Sequence, residues 1–319
     1  MIQAVIIGPV IARYGTALAG LALIAFFALF ADNFTSPGNL LNVAKDTSTL
    51  AILALGFALA LTVAELDLSI ADVASLAAVV AGWCIQAKYS PATACAAAMA
   101  VGIGCGLFNG FGVTVLRVPS LIVTLGTSAI ARGLAFMITE GVAFTGRWPR
   151  GFTDLARGQT IGVPNLLLAL LLVAGFAWIL LGWTRTGAHM VATGEVEEAA
   201  RLSGIATGRM KRLGLLLASS LAGVTAILLA AGLSSAAPNM AGDYFLYAIA
   251  AVLLGMTMFD PGHPNVAGTL FAALVLKVLG NGLILLGTPY YLQDIVLGGI
   301  IIGSVAFSAS VVKKAAFKV

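Results

Sequence analysis

Stretches such as NLLLALLLVAGFAWILLGW, residues 165–183, recur along this chain, each long enough to cross a bilayer and almost free of charge. A helix needs about 20 apolar residues to traverse the hydrocarbon core. That length picks out about ten candidate spans, near 14–31, 48–64, 69–86, 91–116, 120–139, 164–183, 212–233, 243–259, 265–286 and 290–311. Only 9% of the 319 residues are charged, against roughly 25% in a soluble domain, so most of the surface faces an apolar solvent. The expectation is an all-α, polytopic membrane helix bundle forming one transmembrane domain over residues 1–319. The first span follows Arg13 and shows no A-x-A cleavage site, so it reads as an uncleaved helix rather than a signal peptide.

The net charge of +4 points to membrane orientation rather than to nucleic acid, because basic residues concentrate in cytoplasmic loops. With ten spans and a cytoplasmic N-terminus, the loop after the sixth span and the C-terminus lie inside. They carry Arg185, Arg201, Arg209, Lys211, Arg212, Lys313, Lys314 and Lys318. The loop from Glu140 to Pro164, with Arg147, Arg150 and Arg157, is external in this arrangement and runs against the rule, but the eight outweigh the three. The expected topology is N-in, C-in.

The segments AAAMAVGIGCGLFNGFG and GLLLASSLAGVTAILLAAG place Gly and Ala three and four apart, a spacing that lets helix backbones approach closely in lipid. Cys84, Cys95 and Cys105 lie in apolar stretches with no C-x-x-C pattern, and His189 and His263 are far apart. Small buried hydrophobes account for the cysteines, and no metal site is expected. No G-x-S-x-G elbow or other nucleophile–base pattern marks an enzyme, and no catalytic residue or cofactor is assigned.

One stretch breaks the hydrocarbon pattern. ATGEVEEAARLSGIATGRMKR, Ala192 to Arg212, carries seven charged side chains in 21 residues. Glu195, Glu197 and Glu198 come early in a predicted short helix, where carboxylates suit the positive end of its dipole. Gly194 and Gly204 flank that helix as breaks. From the residues alone two readings stand: an ordinary charged cytoplasmic loop, or a surface helix whose Ala and Leu enter a groove on a soluble partner.

GAHMVATGEVEEAARLSGIATGRMKRLGLLLASSLAGVTAILLAA resembles the cytoplasmic coupling loop of the ribose-type sugar permeases of bacterial ATP-binding cassette importers. Three further blocks are similar to that family in the same order: LALGFALALTVAELDLSIADVASLAA, VPSLIVTLGTSAIARGLAFMITEG, and the C-terminal run from YAIAAVLLGM to LGGIII. The resemblance implies a permease subunit that passes a sugar or sugar-like solute across the inner membrane by alternating access. It also implies a coupling loop at about 185–211 that docks on the ATPase through Gly194, Glu197, Glu198, Ala199, Ala200, Arg201, Ser203 and Gly204. This chain has no G-x-x-x-x-G-K-[ST] loop, so ATPase subunits are expected as separate partners. A periplasmic solute-binding protein and a second permease copy or paralogue complete the expected assembly. The sequence departs from the family at Ala64-Glu65-Leu66, at Thr193-Gly194 and at MTMFDPGHPN, where glycine-rich elements are usual.

Ionisable groups within spans are costly and need a partner or a cavity. Glu65, Asp67, Asp72, Arg132, Lys277 and Asp294 are in this position. Asp72 and Asp294 are expected to reach the headgroup region. Arg132, behind TSAIA in mid-span, is expected to face inward and to contact Asp67. With Asp67, Ser69 and Arg132, the neutral residues Asn109, Thr124, Thr127 and Asn281 are the candidates for a translocation path; Ser128 is a further inward candidate. Each neutral residue also fits a helix–helix hydrogen bond. An ion-coupled secondary transporter, with Glu65 and Asp67 as proton carriers, has the same composition but gives no reason for an E-A-A-x-x-x-G segment. A nucleoside or branched-chain amino-acid permease shares the general architecture.

Overall fold

The computed structural model describes residues 2–289 and 291–316. Among the described residues thirteen helices run in order: α1 (Ile2–Phe30), α2 (Pro37–Leu61), α3 (Ile70–Gln86), α4 (Pro91–Thr114), α5 (Ser120–Thr139), α6 (Arg150–Arg157), α7 (Asn165–Trp183), α8 (Arg185–Glu195), α9 (Glu197–Leu202), α10 (Thr207–Leu233), α11 (Tyr244–Gly255), α12 (Val266–Leu285) and α13 (Tyr291–Ala316). Every predicted span falls on one of them. Among the described residues, α2, α4, α5, α7, α10 and α12 are long and apolar enough to cross a membrane. The other four predicted spans hold shorter apolar stretches, Tyr14–Phe30, Ile70–Gln86, Tyr244–Gly255 and Tyr291–Gly303. At 1.5 Å per residue, α3 reaches only about 26 Å, short of the ~30 Å core.

Helix starts follow local chemistry. Ser90 accepts from the Thr93 amide at 3.1 Å with Pro91 behind it, Thr184 accepts from Gly187 N at 3.0 Å, and Asn265 accepts from Gly268 N at 2.7 Å. These oxygens satisfy amides that the first helical turn leaves unpaired. Two minimal sheets join the helices: β1 (Phe144–Thr145) pairs antiparallel with β4 (Ser235–Ala236), and β2 (Gln159–Thr160) with β3 (Val163–Pro164).

The chain divides into two compact units. One comprises Leu55–Phe245. At its centre α3, buried along nearly its whole length, packs on α4, α5 and α10. The two small-residue segments singled out above meet each other here, as α4 and α10. A Cβ on Gly102 would stand 2.6 Å from the Ser219 carbonyl oxygen, and one on Gly106 2.8 Å from Leu216 Cα. Backbone touches backbone along this seam, the packing that small residues allow in lipid. The amphipathic α6 buries Phe152 and Ala156. Its Arg157 donates from Nε to the Gly232 carbonyl at 2.7 Å, near the end of α10 where carbonyls welcome a cation. This local partner accounts for one of the three arginines that run against the positive-inside pattern.

The other unit comprises Met1–Ala54 and Leu246–Val319. There α1 packs on α12, with Phe27, Ala31, Phe34, Val43 and Val278 as a buried apolar cluster. Asn39 and Asn281 exchange amide hydrogen bonds at 2.9 Å in both directions.

Candidate functional site

The charged segment folds as two short helices. The sequence reading makes Gly194 the first break, but α8 continues through it to Glu195, and the chain turns at Val196 (φ −146°, ψ 91°). Gly194 serves a close approach instead: a Cβ there would lie 2.1 Å from the Thr62 carbonyl oxygen. Glu197 and Glu198 occupy the first turn of α9 and Arg201 its last, each beside the dipole end that suits its charge. Ala199 and Ser203 are exposed and Ala200 is buried. The helix closes with Gly204 N donating to Arg201 O and Ile205 N to Ala200 O, both at 3.0 Å. Gly204 has φ +82°, a left-handed conformation that glycine adopts without strain. Its role as the stop therefore agrees with the sequence reading.

Two observations set α9 apart from a solvated loop. Leu202 is 80% exposed, an apolar side chain left uncovered beside charges. Second, Lys211, in the first turns of α10, bridges Glu197 at 2.8 Å and Glu65 at 2.9 Å. A single ammonium thus ties α9 to the turn between α2 and α3. Glu198 and Arg201 pair at 2.7 Å on the open side, and Glu198 raises the Arg201 guanidinium from its ordinary value by this bond and its charge.

The turn at 62–69 is the second part of the site. Ala64 adopts φ +58° and directs Glu65 towards Lys211, while Asp67 is fully buried. Asp67 Oδ1 accepts from Ser69 N at 3.0 Å, Ser69 Oγ at 2.5 Å and Asn109 Nδ2 at 3.5 Å; Oδ2 accepts from Ser219 Oγ at 3.1 Å. Thr127 Oγ1 donates to Asn109 Oδ1 at 2.6 Å, and Thr124 Oγ1 reaches the Leu66 carbonyl at 3.1 Å. Four of the seven path candidates, Asp67, Ser69, Asn109 and Thr127, therefore belong to one buried network, and Thr124 holds the same turn through the Leu66 carbonyl. A buried carboxylate is tolerated because donors surround it. Asn281 lies apart, paired with Asn39. Ser219 and Lys211 complete these contacts; the sequence assigns no role to Ser219 and marks Lys211 only as a basic residue of the cytoplasmic loop.

Arg132 does not meet Asp67. It grips Asp72, with Nε 3.1 Å from Oδ1 and Nη2 3.0 Å from Oδ2, while Ser128 Oγ donates to Asp72 Oδ2. The reason is rotation: Ser128 and Arg132 stand one turn apart on α5 and face the first turn of α3, whereas Asp67 points towards α4 and α10. Asp72, expected at the headgroups, is buried in this fork instead.

Among the described residues six helices are long and apolar enough to cross a membrane, and the charged α9 is tied by Lys211 to the turn between α2 and α3. The chain belongs to the family described as the branched-chain amino acid transport system / permease component, which matches residues 39–305. It is a permease subunit of an ATP-binding cassette import system and not an enzyme.

The ribose import permease protein RbsC of Escherichia coli (strain K12) is 36% identical over 89% of this chain and 90% of its own length. RbsC of Bacillus subtilis (strain 168) is 31% identical over 92% and 91%. The autoinducer 2 import system permease protein LsrC of Yersinia pseudotuberculosis is 32% identical over 92% of this chain and 84% of its own. A solved structure of a metal-chelate type ABC transporter in an inward-facing conformation shares the fold, with a TM-score of 0.50 and 13% identity over 96% of this chain and 99% of that one.

Proposed function

We propose that this permease imports a neutral sugar or sugar-like solute, received from a periplasmic binding protein and released to the cytoplasm by alternating access. The substrate class follows the ribose permeases of Escherichia coli and Bacillus subtilis, to which the chain is 36% and 31% identical over the aligned residues. In this reading ten helices cross the bacterial inner membrane with both termini in the cytoplasm, as one permease domain. Two copies, or this chain and a paralogue, surround the path, a closed two-fold pairing being the commonest arrangement among soluble oligomers.

The coupling residues are Gly194, Glu197, Glu198, Ala199, Ala200, Arg201, Ser203 and Gly204. The observation that carries this assignment is the Glu197–Lys211–Glu65 bridge. A separate ATPase docks on α9, with Leu202 entering its groove, and its closure pulls on Lys211. The displacement passes through Glu65 to the turn that Asp67 anchors. Asp67, Ser69, Asn109, Thr124 and Thr127 keep that turn rigid, Asn281 ties α12 to the start of α2, and Arg132 faces the path.

Gly204→Trp tests the docking. The bulky ring and the lost left-handed turn leave insertion intact, while both uptake and stimulation of ATP hydrolysis by binding protein disappear. Retention of both activities in Gly204→Trp would remove α9 from the coupling route.

A further inference from the structure

Arg132 is the thirteenth of the twenty residues of α5, which puts its Cα about 4 Å past the helix midpoint at 1.5 Å per residue. Its side chain is nevertheless 57% exposed, while that of its partner Asp72 is 8% exposed. An ionised group this deep is costly against lipid and belongs on a cavity or the bundle interior. The cavity is there: a cleft of about 500 Å³ is lined by Arg132 and Asp72 together with Asn239, Asp243, Phe136 and Phe245.

The donors and charges of this cleft define what it can hold. Arg132 uses two of its five N–H groups on Asp72, and three remain directed elsewhere. Asp72 and Arg132 cancel, so Asp243 leaves the cleft with a net charge of −1 among its lining residues. Asn239 and Asp243 are exposed to the space. Such a wall offers N–H donors, a carboxylate acceptor and an amide, with two aromatic faces for carbon-bound hydrogens.

We propose that this cleft is a solute subsite for a neutral polyhydroxylated molecule, whose hydroxyl groups accept from Arg132 and Asn239 and donate to Asp243. The same negative charge rejects phosphorylated or carboxylated sugars. Asp72 and Ser128 act as positioning residues, holding the guanidinium so that its free edge faces the solute. The assignment of a sugar-like solute rests on the function proposed above, but the charge and water content of the cleft are tested without it.

The test uses membranes containing the full chain with Cys84, Cys95 and Cys105 replaced by Ala, and single probes Phe136→Cys and Leu125→Cys, both on α5 and lining the cleft. Labelling is timed with a cationic trimethylammonium-ethyl and an anionic sulfonatoethyl methanethiosulfonate, each normalised to its rate with a free thiol. Both probes are expected to react, the cation faster by about tenfold, and Asp243→Asn to abolish that preference. An equimolar excess of D-ribose, D-glucose and myo-inositol slows labelling, and ribose 5-phosphate does not. No reaction at either probe, equal rates for the two reagents, or protection by the phosphate but not by the neutral polyols would overturn the proposal. Labelling requires neither ATP nor an ATPase, so its failure leaves the coupling role of α9 standing, and failure of the Gly204→Trp experiment leaves this subsite standing.

Discussion

Lys211→Met separates the two bonds that one ammonium makes. Its Nζ is 2.9 Å from Glu65 and 2.8 Å from Glu197, but the Glu65 side chain is 8% exposed and that of Glu197 49%. Losing a solvent-exposed ion pair costs about 0–1 kcal/mol. Stripping the partner from a buried charge costs about 3–5 kcal/mol, because the remaining charge has no compensation. Lys211 is itself one-fifth exposed, so the lower end applies: Lys211→Met destabilises by about 3 kcal/mol, and Glu197→Gln by less than about 1 kcal/mol. Adding Glu65→Gln to Lys211→Met removes the stranded carboxylate and returns stability to within about 1 kcal/mol of the parent. The assay is unfolding by SDS in mixed micelles, followed by tryptophan fluorescence. A cost below about 1 kcal/mol for Lys211→Met, or a double variant as unstable as the single, would refute the claim that Lys211 holds a buried anion.

Two outcomes come from the packing and one from the topology proposed above. Gly102→Ala costs about 1–3 kcal/mol in the same assay, since its Cβ meets Ser219 O at 2.6 Å, whereas Gly104→Ala, with nothing within 4 Å, is neutral or stabilising. Gly204→Ala forces φ +82° on a residue with a Cβ and costs about 1–2 kcal/mol; measured stability unchanged from the parent would mean the turn relaxes. A tag after Val319 is reached by an impermeant label only from the cytoplasmic side of inside-out vesicles; labelling from the periplasm breaks the ten-span, C-in topology.

Depth was legible from residue order and rotation was not. Apolar length located the ten long or apolar helices but not α6, α8 or α9, because burial in lipid demands only that a stretch be long and uncharged. The Glu-rich start and Gly204 end of α9 were readable because dipole and left-handed turn chemistry act within a few residues. Arg132 shows the limit: mid-span placement called for an inward partner, but Asp67 and Asp72 are close in sequence and only helix rotation decides between them. The spacing of Ser128 and Arg132, four residues apart on one face of α5, was the available signal for Asp72. Lys211 and Glu65 are distant in sequence and meet only because α2 and α10 pack through Gly56 and Gly214, a contact that no local pattern encodes. The small helix α6 and the β1–β4 pair were hidden for the same reason: each is defined by what it packs against.

In the proposed mechanism, force from ATP hydrolysis reaches the path through α9. The direct measurement is solute uptake in proteoliposomes that contain this chain, its partner ATPase and its binding protein, with proton and sodium gradients dissipated. Uptake that requires ATP inside the vesicle and the ATPase subunit, and that Gly204→Trp abolishes, is the predicted result. Uptake driven by an ion gradient in vesicles lacking the ATPase would contradict it.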